Sequence, residues 1–182
     1  MVMASPDLDV PFLDLRRGGQ ELDDELSAAF ARVLVSGQYV LGAEVEAFEE
    51  EVREVCGVHH AVGVSSGTDA LLVALSSLGL GPGDEVICPT YTFGATAAAI
   101  ARTGARPVLV DIDPGTYCMT LSTVEPAMSS RTRALLPVHL YGQCADMGPL
   151  LDLASSRGIP VVEDAAQALG ATHGGRPSGS LG

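Results

Sequence analysis

Apolar residues in the first sixty positions recur at helical spacing, at Leu22, Leu26, Phe30, Val33 and Leu34 and again at Val45, Phe48, Val52 and Val55. This predicts an arm followed by two amphipathic helices. Between the two sets, Ser36-Gly37-Gln38-Tyr39-Val40-Leu41-Gly42 breaks the period with two glycines. From His60 onward the pattern changes to short β-rich runs: Ala61 to Val64, Glu85 to Cys88, Pro107 to Val110, Ala134 to Val138 and Pro160 to Val162. Helical segments fit between them, over Thr68 to Leu78, Ala95 to Ala101, Ser122 to Met128 and Met147 to Arg157. Four of the runs are nearly continuous in Val, Ile, Leu and Ala, as strands of a sheet covered on both faces must be. The pattern therefore predicts an α/β fold with a mostly parallel sheet, and divides the chain into an arm with helices over 1–59 and a sheet domain over 60–182.

Composition narrows the partners. Ten basic residues against 23 acidic ones give a net charge of −13, which disfavours nucleic acid and anionic membrane and leaves small molecules or protein. All ten basic residues are arginine, so the chain has no lysine. Cys56, Cys88, Cys118 and Cys144 lie far apart, without the close spacing of a metal site, and read as buried thiols in a reducing compartment. No segment has the length of a membrane span, and Met1 to Phe12 lacks a signal pattern. The expectation is a cytoplasmic protein.

Chemistry is expected where strands end, because in an open α/β sheet the strand C-terminal ends share one edge. Ser65-Ser66-Gly67-Thr68-Asp69 follows the first run and opens a helix. Its glycine and unpaired N–H groups suit a phosphate, and its hydroxyls equally suit an ordinary helix cap. Tyr91 and Phe93 follow the second run, where an aromatic ring either stacks on a planar ligand or packs into the core. His139 follows the fourth, and is read as a hydrogen-bonded structural residue rather than an acid or base. Glu163 and Asp164 follow the fifth, where strand alternation turns one carboxylate inward and the other away. A buried aspartate there needs a cation or several donors, unless it caps a helix. Together the loops offer an anion cradle, a stacking ring and a carboxylate, which matches the needs of a pyridoxal phosphate ring.

Those segments carry a family resemblance. With Phe12-Leu13-Asp14-Leu15, the Ser36 to Gly42 run, Gly83-Asp84-Glu85-Val86-Ile87, Tyr91-Thr92-Phe93, Pro137-Val138-His139-Leu140-Tyr141-Gly142 and Glu163-Asp164-Ala165-Ala166-Gln167, the chain resembles the N-terminal part of the DegT/DnrJ/EryC1/StrS family of pyridoxal-phosphate-dependent sugar aminotransferases. The resemblance implies the large domain of the aspartate-aminotransferase type of fold (fold type I), incomplete here, and a homodimer with active sites at the subunit interface. It assigns Gly67, Thr68 and Asp69 to the phosphate-binding turn and Phe93 to the stacking ring. Asp164 becomes the partner of the pyridine nitrogen, and Gln167 lies near the cofactor's ring oxygen. It also implies that His173 to Gly182 leads toward the lysine-bearing segment. The Schiff-base lysine, a phosphate-binding serine, the rest of the large domain and the small domain are then expected outside these residues, which would leave the chain inactive alone. Two other outcomes follow from the same reading: a sugar dehydratase branch with histidine in place of the lysine, and a non-catalytic truncated or split-gene product. A plain nucleotide binder is disfavoured, because no Gly-x-Gly-x-x-Gly follows the first run.

Overall fold

The computed structural model describes residues 11, 14, 19 and 22–182. The arm motif at 12–15, Asp14 apart, lies outside the described residues. The chain divides into two units, Met1–Ala47 and Phe48–Gly182. The boundary expected after residue 59 falls inside the second.

The first unit carries α1 (Asp23–Ser36) and the start of α2 (Ala43–Cys56). Asp23, Asp24 and Glu25 occupy the first turn of α1, where their charge complements the helix dipole. Arg32 grips Glu44 with two hydrogen bonds, of 2.6 and 3.2 Å, and so ties α1 to the start of α2. The predicted apolar stripe of α1 is present, but no residue of that helix is buried; Leu26 and Phe30 are 60% and 67% exposed.

In the second unit, α3 (Gly67–Ser77), β1 (Glu85–Pro89), α4 (Gly94–Arg102), β2 (Arg106–Val110), α5 (Leu121–Val124), β3 (Thr132–Leu135) and α6 (Met147–Arg157) alternate as the periodicity requires. The sheet is parallel in the order β2-β1-β3. Every residue of β1 is buried, as a central strand demands. Alternation sends Ile87 to one face, with Val110, Leu135, Met147 and Leu150. Val86 and Cys88 face the other side, against Leu71 and Leu75 of α3 and Ala99 and Ile100 of α4. Helices therefore cover both faces, each fully buried Leu or Ile contributing about 1.5–3 kcal/mol. α6 stops at Gly158, whose φ of 64° is the left-handed cap that a glycine permits.

Two strand expectations are corrected. Ala61 to Val64 is irregular and Val62 is 78% exposed. A β-branched run forms a strand only against a hydrogen-bonding neighbour, and the described residues supply Gly63 only with the Glu49 carboxylate, at 2.6 Å. The run at 160–162 lies beside β3 through isolated bridges, Leu135 to Val161 and Val138 to Asp164, rather than a continuous ladder. Pro137 has no N–H to donate, so the ladder cannot run through it. The chain then forms a hairpin, β4 (Thr172–His173) and β5 (Arg176–Pro177), around Gly174 and Gly175. Both glycines have positive φ, 58° and 79°, as a tight two-residue turn requires.

At the end of the sheet where its strands begin, the side chain of Glu85 is only 2% exposed and accepts hydrogen bonds from Ser129 Oγ at 2.6 Å, Arg106 at 2.7 Å and Arg131 Nε at 2.8 Å. These fasten β1, β2 and the approach to β3 together. The opposite end is left free for a ligand.

Candidate functional site

At the C-terminal ends of β1 and β3 a cavity of about 240 Å³ is lined by Gly67, Thr68, Phe93, His139, Asp164 and Gln167, among others. The strand order reverses here: β1 leads outward to β2, and the chain returns to β3 on the other side of β1. Such switch points open a crevice between diverging loops. The volume suits a ligand of one ring rather than a dinucleotide. Two larger clefts, of about 590 and 630 Å³, lie around Asp84, Arg133, Glu85 and Arg106. Both carboxylates there are already paired with arginine, so neither cleft holds a buried charge awaiting a partner.

One end of the cavity is the start of α3. Ser66 Oγ accepts the Asp69 N–H at 3.1 Å, a side-chain cap. The amides of Gly67 and Thr68, at the first two helical positions, have no intrahelical acceptor. They add to the positive end of the helix dipole, a natural anion site. Asp69 is the expected site residue that does not line the cavity. Its carboxylate accepts from Ser65 Oγ at 2.6 Å and Ser66 Oγ at 3.0 Å and lies 3.5 Å from Arg102. The Ser65 and Ser66 hydroxyls, with Arg102, hold it below the usual aspartate range.

The other end is acidic, and the structure separates the two adjacent carboxylates. Glu163 faces away from the cavity and is saturated: it accepts from His139 Nε2 at 2.8 Å and from the amides of Gly179, Leu181 and Gly182 at 2.9, 2.6 and 2.7 Å. Burial pushes its carboxyl up, but His139 and the three amides outweigh burial and leave it below the ordinary glutamate value. Asp164 faces the cavity at 8% exposure. Thr96 Oγ1 donates to its Oδ2 at 2.8 Å, and the Ala166 N–H reaches Oδ1 only at 3.4 Å. Among the described residues no arginine or histidine forms an ion pair with Asp164.

His139 is fully buried and structural. The Ala145 N–H donates to its Nδ1 at 3.2 Å, so its proton sits on Nε2 and is donated to Glu163. Neither ring nitrogen is free. Phe93, at the N-cap of α4, is 75% exposed on the cavity wall, an open apolar face beside the acid. Gln167 Oε1 accepts the Tyr141 N–H at 2.8 Å, which leaves the amide's NH₂ as the end available to a ligand.

A model of the DegT/DnrJ/EryC1/StrS aminotransferase family matches residues 20–182. The chain belongs to this family. It is 53% identical over 171 residues to the dTDP-3-amino-3,4,6-trideoxy-alpha-D-glucose transaminase of Streptomyces venezuelae, covering 94% of this chain and 45% of that one. It is 47% identical over 173 residues to the UDP-N-acetyl-3-dehydro-alpha-D-glucosamine 3-aminotransferase of Acidithiobacillus ferrooxidans, covering 95% and 47%. Among solved structures, S. venezuelae DesV in complex with a ketimine intermediate matches with a TM-score of 0.91 at 53% identity, over 94% of this chain and 46% of that one. NtdA from Bacillus subtilis with bound cofactor PMP matches with a TM-score of 0.85 at 37% identity, over 90% and 38%. The chain spans about half the length of the curated relatives it matches. The fold is thus that of fold type I aminotransferases, and the family's aminotransferases depend on pyridoxal phosphate.

Membership of the family does not explain every residue near the cavity. Thr96 was not singled out in the sequence, although a lone hydroxyl in Gly-Ala-Thr-Ala-Ala-Ala-Ile, three and four residues before the buried Ala99 and Ile100, was the available signal. Tyr117 and Tyr141 were also missed as a cluster. Their rings lie 5.9 and 6.4 Å from Tyr91, and the Tyr91 and Tyr141 hydroxyls are 2.9 Å apart. Both have left-handed backbones, with φ of 59° and 56°, which no local sequence signal marked.

Proposed function

We propose that these residues are the cofactor-holding part of a nucleotide-sugar aminotransferase that moves an amino group from an amino acid such as glutamate to a keto sugar carried on a nucleotide. The observation that carries this reading is Asp164, a buried carboxylate on a cavity wall that has no cationic protein partner among the described residues. A buried charge in that position calls for a cation from the ligand, and a protonated pyridine nitrogen supplies one. The donor set fits pyridoxal phosphate at each point. Gly67 and Thr68 offer amides to the phosphate, Phe93 offers a ring face, and the Gln167 NH₂ suits the ring oxygen. Asp69 shapes the turn through Ser65 and Ser66 rather than touching the cavity. When bound, the protonated ring serves as an electron sink during amino transfer. Asp164 keeps the nitrogen protonated by its charge, and Phe93 excludes water from one face.

With no lysine in the chain, no lysine side chain here supplies a covalent anchor or the proton carrier of amino transfer. Holding rests on the noncovalent contacts, and these residues do not complete the reaction by themselves. The uncovered apolar positions of α1 support assembly as a homodimer, and the four free thiols support a cytoplasmic location.

Binding of pyridoxamine phosphate tests the reading, because its amine form needs no lysine. Equilibrium dialysis should show saturable binding that Asp164→Asn weakens by about tenfold or more, the loss of one charge-assisted contact. Borohydride treatment with pyridoxal phosphate should trap none at an internal side chain. Absence of saturable binding, or equal binding by Asp164→Asn, overturns the assignment.

A further inference from the structure

Asp164 is aimed by a side chain 68 positions earlier. The Thr96 hydroxyl is fully buried and donates its single proton to Asp164 Oδ2 at 2.8 Å. Thr92 Oγ1 lies 2.8 Å from Thr96 Oγ1. Since Thr96 has one proton and has given it to the carboxylate, the Thr92–Thr96 bond runs one way: Thr92 donates and Thr96 accepts. The two hydroxyls thus form a directed chain ending on Asp164. Thr92 Oγ1 is set by its place on the loop leaving β1, and Thr96 by the first turn of α4, where it sits on the face that also buries Ala99 and Ile100.

We propose that Thr96 is a positioning residue for Asp164, and Thr92 the residue that orients the Thr96 proton. The inference rests on the reading of Asp164 as the partner of the cofactor's ring nitrogen. Apart from Thr96, the only protein donor to this side chain among the described residues is the Ala166 amide at 3.4 Å, too long to fix a rotamer strongly. Removing the Thr96 proton therefore frees the carboxylate to turn away from the cavity. The chain of hydroxyls also fixes the direction of that bond: a Thr96 hydroxyl that already receives from Thr92 has its one proton committed toward the carboxylate. A hydroxyl that merely found a partner inside the protein would carry no such dependence.

The test is the dissociation constant of pyridoxamine phosphate for the 182-residue chain and its variants, with far-UV circular dichroism confirming that each is folded. Thr96→Val keeps the side-chain shape and deletes the donor, so it should weaken binding about tenfold. Thr96→Ser restores the hydroxyl and should return binding to within about threefold of the parent, less than one hydrogen bond's worth. Thr92→Val, at a half-buried position on the cavity wall, keeps the proposal testable if Thr96→Val does not fold, and should weaken binding about threefold as the Thr96 proton loses its orientation. In the Asp164→Asn background, Thr96→Val should have almost no further effect, the non-additivity expected of groups that act as a unit. If Asp164→Asn weakens binding while Thr96→Val matches the parent, or if Thr96→Ser is as poor as Thr96→Val, the positioning role is overturned and the cofactor reading stands. If Asp164→Asn itself binds like the parent, the cofactor reading falls, and the positioning role with it.

Discussion

Replacing Glu163 by glutamine probes the junction behind the site. The carboxylate accepts four hydrogen bonds, with Leu181 and Gly182 on Oε1 and His139 and Gly179 on Oε2. A glutamine that keeps its oxygen on Leu181 and Gly182 turns its NH₂ toward Gly179 N–H and His139 Nε2–H, so two donors face a donor. His139 cannot relieve this by moving its proton, because Nδ1 would then carry a hydrogen against the Ala145 N–H, 3.2 Å away. Each lost bond to a charged acceptor is worth about 1.5–3 kcal/mol, and movement of residues 179–182 offsets part of the loss. The expected net cost is about 3 kcal/mol at pH 7, read from urea unfolding followed by circular dichroism. Amide exchange at Gly179, Leu181 and Gly182 should accelerate in the same variant. The difference between parent and variant should also depend on pH in one direction. The folded Glu163 lies below its ordinary value, so its contribution is whole above the unfolded pKa of about 4.3. It is lost as pH falls through the folded pKa. The gap should therefore narrow in acid. An unchanged midpoint with unchanged exchange at all three amides would refute the reasoning.

Glu85→Gln should flatten the acid limb of the stability profile. Hydrogen bonds from Ser129, Arg106 and Arg131 lower the Glu85 carboxyl to about 2, so the stability it contributes is whole above its unfolded pKa of about 4.3 and is lost as pH falls below that toward about 2. An acid limb identical in the two proteins by circular dichroism would remove Glu85 as its source. Gln167→Glu keeps an acceptor for the Tyr141 N–H but replaces the free NH₂ with negative charge. It should weaken pyridoxamine phosphate binding about tenfold, and equal affinity by equilibrium dialysis would show that this side chain does not meet the ring oxygen.

Local sequence determined the alternation of helix and strand, because apolar spacing of two or of three to four residues is a property of neighbours along the chain. It also singled out the loops of Gly67, Thr68, Phe93 and Asp164, and the family resemblance added Gln167; these residues line one cavity. Pairing was not local. Ala61 to Val64 has the composition of a strand and pairs with no strand among the described residues, while Pro137 interrupts a ladder whose partner begins at Pro160. Strand alternation required that Glu163 and Asp164 diverge, yet only the folded chain brings His139 and residues 179–182 to one and Thr96 to the other. Asp69 is the local counter-example, held by Ser65 and Ser66 four and three residues before it, with Arg102 3.5 Å away. For Glu163 and Asp164 the satisfying donors are remote in sequence, and those contacts exist only after the sheet and its covering helices have assembled.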